Sequence, residues 1–204
     1  AGSRATALGY FALSAQNTDT DSYNVAVGFS AGEAITTGLF NTFVGGLAGD
    51  ASDDGSSNTA VGYAALSANA GSNNTALGSL ALQATTGTLN TGLGKQAGMS
   101  ITSGIQNTIV GGEAGDALTD ADYNIAIGQG ALGADTLGSR AVAVGVFALN
   151  EQNFSSATDN YNVAMGFYAG RKITTGFDNT IIGGLAGDAL TDADYNVAVG
   201  KEAL

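Results

Sequence analysis

A glycine preceded by an aliphatic residue and followed three places later by alanine recurs along the whole chain. It stands at Gly9, Gly28, Gly45, Gly62, Gly78, Gly94, Gly111, Gly128, Gly145, Gly166, Gly183 and Gly200. Successive spacings are 19, 17, 17, 16, 16, 17, 17, 17, 21, 17 and 17 residues. A period this short holds one small supersecondary unit, which cannot bury its own apolar face. Stacked on its neighbours it can. The expected fold is therefore all-β: a β-solenoid, or β-roll, of twelve coils of about 17 residues, continuous over residues 1–204.

Other columns keep step with the glycine. One place before it stands Val, Leu, Ile or Met, and three before it only Thr, Val or Ile. Four before it stands Asn in ten of the twelve units, with Ala5 and Ala141 as the exceptions. Alternation along a strand puts the one-before and three-before residues on a common face. Their β-branched and aliphatic character suits burial, so this face is expected to point inward. A second short strand and a return loop are expected to complete each coil. Asn41, Asn58, Asn107, Asn124, Asn179 and Asn196 fit a side-chain amide ladder running from coil to coil. The glycines and alanines fit corners with no space for a larger side chain.

A longer period lies above the coil. Four places after the column glycine the residues read Leu, Gly, Gly, Leu three times over: Leu13, Gly32, Gly49, Leu66; Leu82, Gly98, Gly115, Leu132; Leu149, Gly170, Gly187, Leu204. The stretches "NTFVGGLAGDA", "NTIVGGEAGDA" and "NTIIGGLAGDA" are the third unit of each set. The chain is thus three blocks of four coils, near residues 1–66, 67–132 and 133–204. It reads as a segment of a longer array, or as a protomer that stacks end to end.

Composition narrows the functions open to such a chain. There is no His, Cys, Pro or Trp, and the net charge is −12 from 18 acidic and 6 basic residues. Sequence-independent nucleic-acid binding needs clustered Lys and Arg, and the six here are scattered. No apolar run approaches the ~20 residues of a membrane helix. The "VGGLAG" loops lack the Lys and Ser/Thr of a phosphate-binding loop, and Asp follows instead. A hexapeptide acyltransferase reading fails on the absent His base and on the rest of each coil. No acid–base constellation stands out from the repeats, so no catalytic residue and no enzyme activity are expected.

Two kinds of site remain candidates. Asp50, Asp53 and Asp54, then Asp116, Asp120 and Asp122, then Asp188, Asp192 and Asp194 cluster on turns. Carboxylates with backbone carbonyls can hold Ca²⁺, although neither the EF-hand nor the nonapeptide calcium spacing is present. Their other reading is turn chemistry, with Asp bonding nearby backbone. No other cofactor is expected. The longest spacing contains "NEQNFSSATDNY", the loop least like the others, which makes Asn153 and Phe154 candidates for recognition. Tyr10, Phe11, Phe29, Tyr63, Phe147, Phe167 and Tyr168 follow the glycine by one or two places, as an interface or as a glycan-stacking face. A regular Thr column raises ice binding, but an inward Thr column would not serve it.

The units "NVAVGFSAG", "NIAIGQGAL" and "NVAMGFYAG" resemble the head repeats of trimeric autotransporter adhesins, in which a "SVAIG"-type strand recurs once per coil. "NTAVGYAALSANAGSNNTALGSLAL" is similar to repeats of bacteriophage tail fibres and of large bacterial surface proteins. The resemblance covers all twelve units. It implies a left-handed β-roll, three chains side by side, and an extracellular, cell-surface or virion fibre, often adhesive, with no catalytic residues. The thin core of an Ala-rich coil points the same way, because lateral packing of three chains buries more. The partners expected are other copies of the chain and, for an adhesive fibre, a host glycan or protein.

Overall fold

The computed structural model describes residues 4–204; residues 1–3, where the first block begins, lie outside the described residues. The structure is a parallel β-solenoid with no helix among the described residues. Its main sheet has twelve strands of three residues each: Thr6–Leu8, Val25–Val27, Thr42–Val44, Thr59–Val61, Thr75–Leu77, Thr91–Leu93, Thr108–Val110, Ile125–Ile127, Val142–Val144, Val163–Met165, Thr180–Ile182 and Val197–Val199. Each pairs in parallel with the next strand of the sheet, with like columns in register, as in Thr42↔Thr59, Phe43↔Ala60 and Val44↔Val61. About eleven turns of ~17 residues therefore separate the first strand from the last.

The strand faces are the reverse of the sequence expectation. From the second coil on, the middle residue of each main-sheet strand points inward: Ala26, Phe43, Ala60, Ala76, Ile109, Ala126, Ala143, Ala164 and Ile181 are fully buried, whereas Ala7 in the end coil is exposed. The three-before and one-before residues point outward and are half-buried or exposed, so the Thr column, expected to face inward, faces outward and the ground on which ice binding was set aside does not hold. Residue size decides this. The interior of such a coil is narrow: nine of the twelve middle residues are Ala or Gly, and the three large ones, Phe43, Ile109 and Ile181, stand in coils whose four-after residue is Gly.

The expected second strand is also absent from most coils. Among the described residues a second sheet exists only as Gly138–Ser139 paired with Thr158–Asp159. Elsewhere turns carry the chain round, and left-handed backbone makes them. In every coil the residues five before, two after and four after the column glycine have positive φ, for example Tyr123 (60°), Gly130 (60°) and Leu132 (56°). Turn backbone still bonds to the neighbouring coil, as in Gly32 N–H to Ala48 O at 2.9 Å and Leu47 N–H to Phe29 O at 2.9 Å.

The column glycine is fixed by close approach. At Gly62 the backbone has φ +138°, and a Cβ would lie 2.6 Å from the Gly78 carbonyl oxygen in the next coil. No other residue fits both the torsion and the gap. The alanine three places on is fully buried from Ala31 to Ala186.

The four-coil block is a volume pattern. Where the four-after residue is Leu (Leu66, Leu82, Leu132 and Leu149), that side chain fills the core. Where it is Gly, other positions supply the bulk. Ile35, Ile101 and Ile173 do so in second coils, and Phe43, Ile109 and Ile181 in third coils. A Cβ on Gly49 would lie 2.6 Å from the Phe43 ring, and one on Gly115 would lie 2.9 Å from Leu118. Large and small side chains alternate along the axis, as close packing demands.

Candidate functional site

The Asn column forms a ladder in which each amide before the last bridges to the backbone of the next coil, while the amide of Asn196, in the final coil, donates back to Asn179 Oδ1 at 3.0 Å. Asn41 Oδ1 accepts the Asn58 backbone N–H at 2.9 Å, while its Nδ2 donates to the Gly55 carbonyl at 2.8 Å. Asn107 does the same with Asn124 N–H (2.9 Å) and Ala121 O (2.7 Å). Asn179 Oδ1 accepts from Asn196 N–H at 3.0 Å, and its Nδ2 donates to Ala193 O at 2.9 Å. One buried amide thus satisfies both ends of the bend that leads into the following strand. Asn58 is the irregular rung. Its Oδ1 accepts from Asn74 N–H at 2.8 Å, but its Nδ2 is buried without a partner in a 16-residue coil.

The exception at Ala141 is repaired from the longest loop. Ala141 has no side-chain oxygen to offer the next coil, and the Asn162 N–H bonds instead to Asn160 Oδ1 at 3.0 Å. Gln152 Oε1 accepts from Asn162 Nδ2 at 2.8 Å. Gln152 Nε2 in turn donates to Asp135 Oδ2 at 2.6 Å. Asp135 is fully buried and among the described residues no cation pairs with it; its Oδ1 accepts from the Gly138 and Phe154 N–H groups at 3.0 and 3.3 Å. Burial pushes its carboxyl above the usual range, against the pull of these bonds. Gln16 plays the part of Gln152 in the 19-residue coil, accepting from Asn24 Nδ2 at 3.3 Å.

The recognition candidates are placed inside this arrangement. Phe154 is only 6% exposed, so it packs rather than presents a ring to solvent. The Asn153 side chain is exposed, but its Oδ1 accepts the Thr136 hydroxyl at 3.0 Å. It stands in a second ladder that the sequence reading missed. Thr86, Thr102, Thr119 and Thr174 each donate a hydroxyl to the carbonyl of the equivalent residue one coil on, at 3.0–3.3 Å. The "ITTG", "ITSG" and "LTDA" stretches carried the signal, as Thr at one fixed offset.

The acidic turns hold protein groups. Asp122 Oδ1 accepts the Ile105 N–H at 2.8 Å and Asp194 Oδ1 the Phe177 N–H at 3.0 Å, each clasping the preceding coil. Asp120 accepts the Ser103 hydroxyl at 2.6 Å, Asp192 that of Thr191 at 3.1 Å, and Asp53 that of Thr36. Asp54 is exposed and Asp188 half-buried on the same turns. Burial raises the carboxyl pKa of Asp50 and Asp116 above the ordinary value, with Glu33 and Glu113 adding like charge. Among the described residues no three carboxylates converge as a metal site would require.

What the fold does present is the outer face of the sheet. Leu77, Leu93, Ile127, Met165 and Ile182 are exposed there in an aliphatic column, beside a three-before column that is Thr in seven strands and Val or Ile in five, Ile125 among them. The column five before the glycine flanks it on one side with Tyr23, Phe40, Leu89, Tyr123, Tyr161 and Tyr195. The column one after flanks it on the other with Tyr10, Phe29, Tyr63 and Phe167. Rings stack along these rims: Tyr23 on Phe40 at 5.5 Å and Tyr10 on Phe29 at 6.0 Å between centroids. Of the 18 acidic residues only Asp178 stands in these four columns, beside Arg4, Lys95, Arg140 and Lys201. Acidity is thus carried almost entirely by the other sides of the coil.

Compared with protein-family models, with curated proteins and with solved structures, the chain matches none.

Proposed function

We propose that this chain is a structural segment of an extracellular fibre, a phage tail fibre or a bacterial surface filament, built by stacking β-coils and packing chains side by side as a homotrimer. One observation carries the reading: the sheet runs in register through the whole described chain, and its outer face, an aliphatic column beside a mixed Thr and aliphatic one between aromatic rims, is almost free of acid. Contiguous exposed apolar surface of this kind marks an interface. A rod meets mechanical load with repeated ladders and needs no reactive centre. Electron microscopy of the native assembly tests this. A fibre with an axial repeat near four coils, roughly 19 Å at ~4.8 Å per coil, supports the reading. A compact particle without that repeat overturns it.

A second reading, an adhesin-type module that binds host glycan or matrix, rests on the exposed aromatic rims and on exposed residues 155–157 of the longest loop. Aromatic faces stack on sugars as they stack on each other. Binding on a glycan array that is lost when residues 155–157 are deleted favours the module over the plain rod.

A further inference from the structure

At the second residue of each "GG" pair, neither torsion nor side-chain space within its own chain requires glycine. Gly46, Gly112 and Gly184 do not adopt positive φ. A Cβ on Gly112 would meet nothing within 4 Å; on Gly46 it would come no closer than 3.9 Å to Tyr63, and on Gly184 no closer than 3.9 Å to the Phe167 carbonyl. The glycine immediately before each is fixed by torsion and by the next coil, and these three are not. All three stand in the flanking column one after the column glycine, and all in the third coil of a block. Space is kept open on the rim of the outer face once every four coils.

We infer that a neighbouring copy of this chain fills that space, and that copies mate with like coils level, the five-before column of one against the one-after column of the next. This rests on the side-by-side assembly proposed above. Rotation about an axis parallel to the rod keeps every coil at its own height. It also brings the left rim of each copy to the right rim of its neighbour. At the three glycine coils the opposing residues are Phe40, Gln106 and Asp178, all exposed. One coil on from Phe40 the sizes reverse, with Ser57 opposite Tyr63. In other coils ring meets ring, Tyr23 with Phe29 and Tyr161 with Phe167.

Area and charge agree with a second copy as the occupant. Twelve strands at ~4.8 Å span roughly 53 Å, and a face about 15 Å wide gives ~800 Å² per copy, the usual half of a stable interface. A chain of net charge −12 repels its like, so a contact between copies belongs on the side that lacks acid.

Sedimentation equilibrium tests the inference with wild type, Gly46→Leu, Gly112→Leu and the size swap Phe40→Ala/Gly46→Leu, each checked for unchanged far-ultraviolet circular dichroism. The expected result is an assembled wild type, about tenfold or greater weakening in each Gly→Leu variant, and recovery in the swap. An unassembled wild type overturns the assembly itself. An assembled wild type with Gly→Leu variants of equal affinity overturns the glycine seats and leaves the assembly standing. Weakening that the swap does not relieve overturns the level pairing of Phe40 with Gly46.

Discussion

The Asn107 side chain holds the Asn124 backbone N–H at 2.9 Å through Oδ1 and the Ala121 carbonyl at 2.7 Å through Nδ2. One residue thereby fixes both sides of a bend in the coil that follows. Asn107→Ala leaves a buried donor and a buried acceptor unmet, each costing about 1–3 kcal/mol. Thermal unfolding is expected to fall by roughly 2–4 °C per kcal/mol for a chain of this size. Asn107→Asp is expected to be no better, because it sets an acceptor against the Ala121 carbonyl. An Asn107→Ala variant melting with the wild type would remove the ladder from the account.

Ala141 and Asn160 give a sharper test of the same ladder. Asn160 Oδ1 serves the Asn162 N–H because Ala141 cannot. Asn160→Ala is expected to destabilise by about 1–3 kcal/mol. Adding Ala141→Asn, which restores the regular rung opposite Asn162, is expected to recover much of that loss in chemical denaturation. A double variant no more stable than Asn160→Ala alone would contradict the substitution of one rung for the other.

Neighbouring glycines are expected to behave oppositely. At Gly111 the φ of +134° and a Cβ 2.6 Å from Gly128 backbone make Gly111→Ala destabilising by about 3 kcal/mol or more. At Gly112 a methyl group meets open space within the chain, and Gly112→Ala is expected within about 0.5 kcal/mol of wild type. Equal losses at the two positions, read by denaturant midpoint, would show that the corner is not set by coil-to-coil approach.

The core pattern predicts a compensated exchange. Phe43 sits where the other two blocks have Ile109 and Ile181, and Ser52 where they have Leu118 and Leu190. Phe43→Ile alone is expected to leave a void and lose about 1 kcal/mol or more. Phe43→Ile with Ser52→Leu copies the arrangement of the other blocks and is expected to be more stable than Phe43→Ile alone. Denaturant midpoints of the single and double variants decide it.

Acidity enters through Asp135. Burial raises its carboxyl pKa in the folded chain above the ~3.9 of an unfolded Asp. Between those two values the folded state holds more protons, so this contribution is fully present below the unfolded pKa and is lost as pH rises through the folded one. Asp50 and Asp116 shift in the same direction. The melting temperature is expected to rise as pH falls from neutral into that window, and Asp135→Asn is expected to reduce the rise. An identical pH profile in the variant would show that Asp135 is not a source of it.

What the sequence disclosed and what it hid follow from how each residue acts. The Asn, Gly and Ala columns were legible because each meets a constraint that repeats identically in every coil. Strand polarity was not. Thr, Val and Leu look like core beside Ala, and only the narrowness of the coil makes Ala60 and Ala76 the interior and Val61 and Leu77 the exterior. The second strand was expected because the left-handed torsions at residues such as Tyr123 and Leu132 leave no mark in residue type. Phe154 lies in the most irregular loop, which made it a candidate for recognition, whereas it is buried and its backbone N–H donates to Asp135 Oδ1. The threonine ladder shows in the sequence only as a Thr at one fixed offset, because a hydroxyl that bonds a carbonyl one coil on looks like any turn Thr.

The outer face carries the residues expected inside, the assembly proposed above makes it an interface, and the mass of the chain in solution tests that proposal most directly. Light scattering under native conditions is expected to give three times the 20.0 kDa of one chain. Val110→Asp or Ile182→Asp, on the outer face, is expected to lower it. A stable wild-type species of 20.0 kDa would contradict the account.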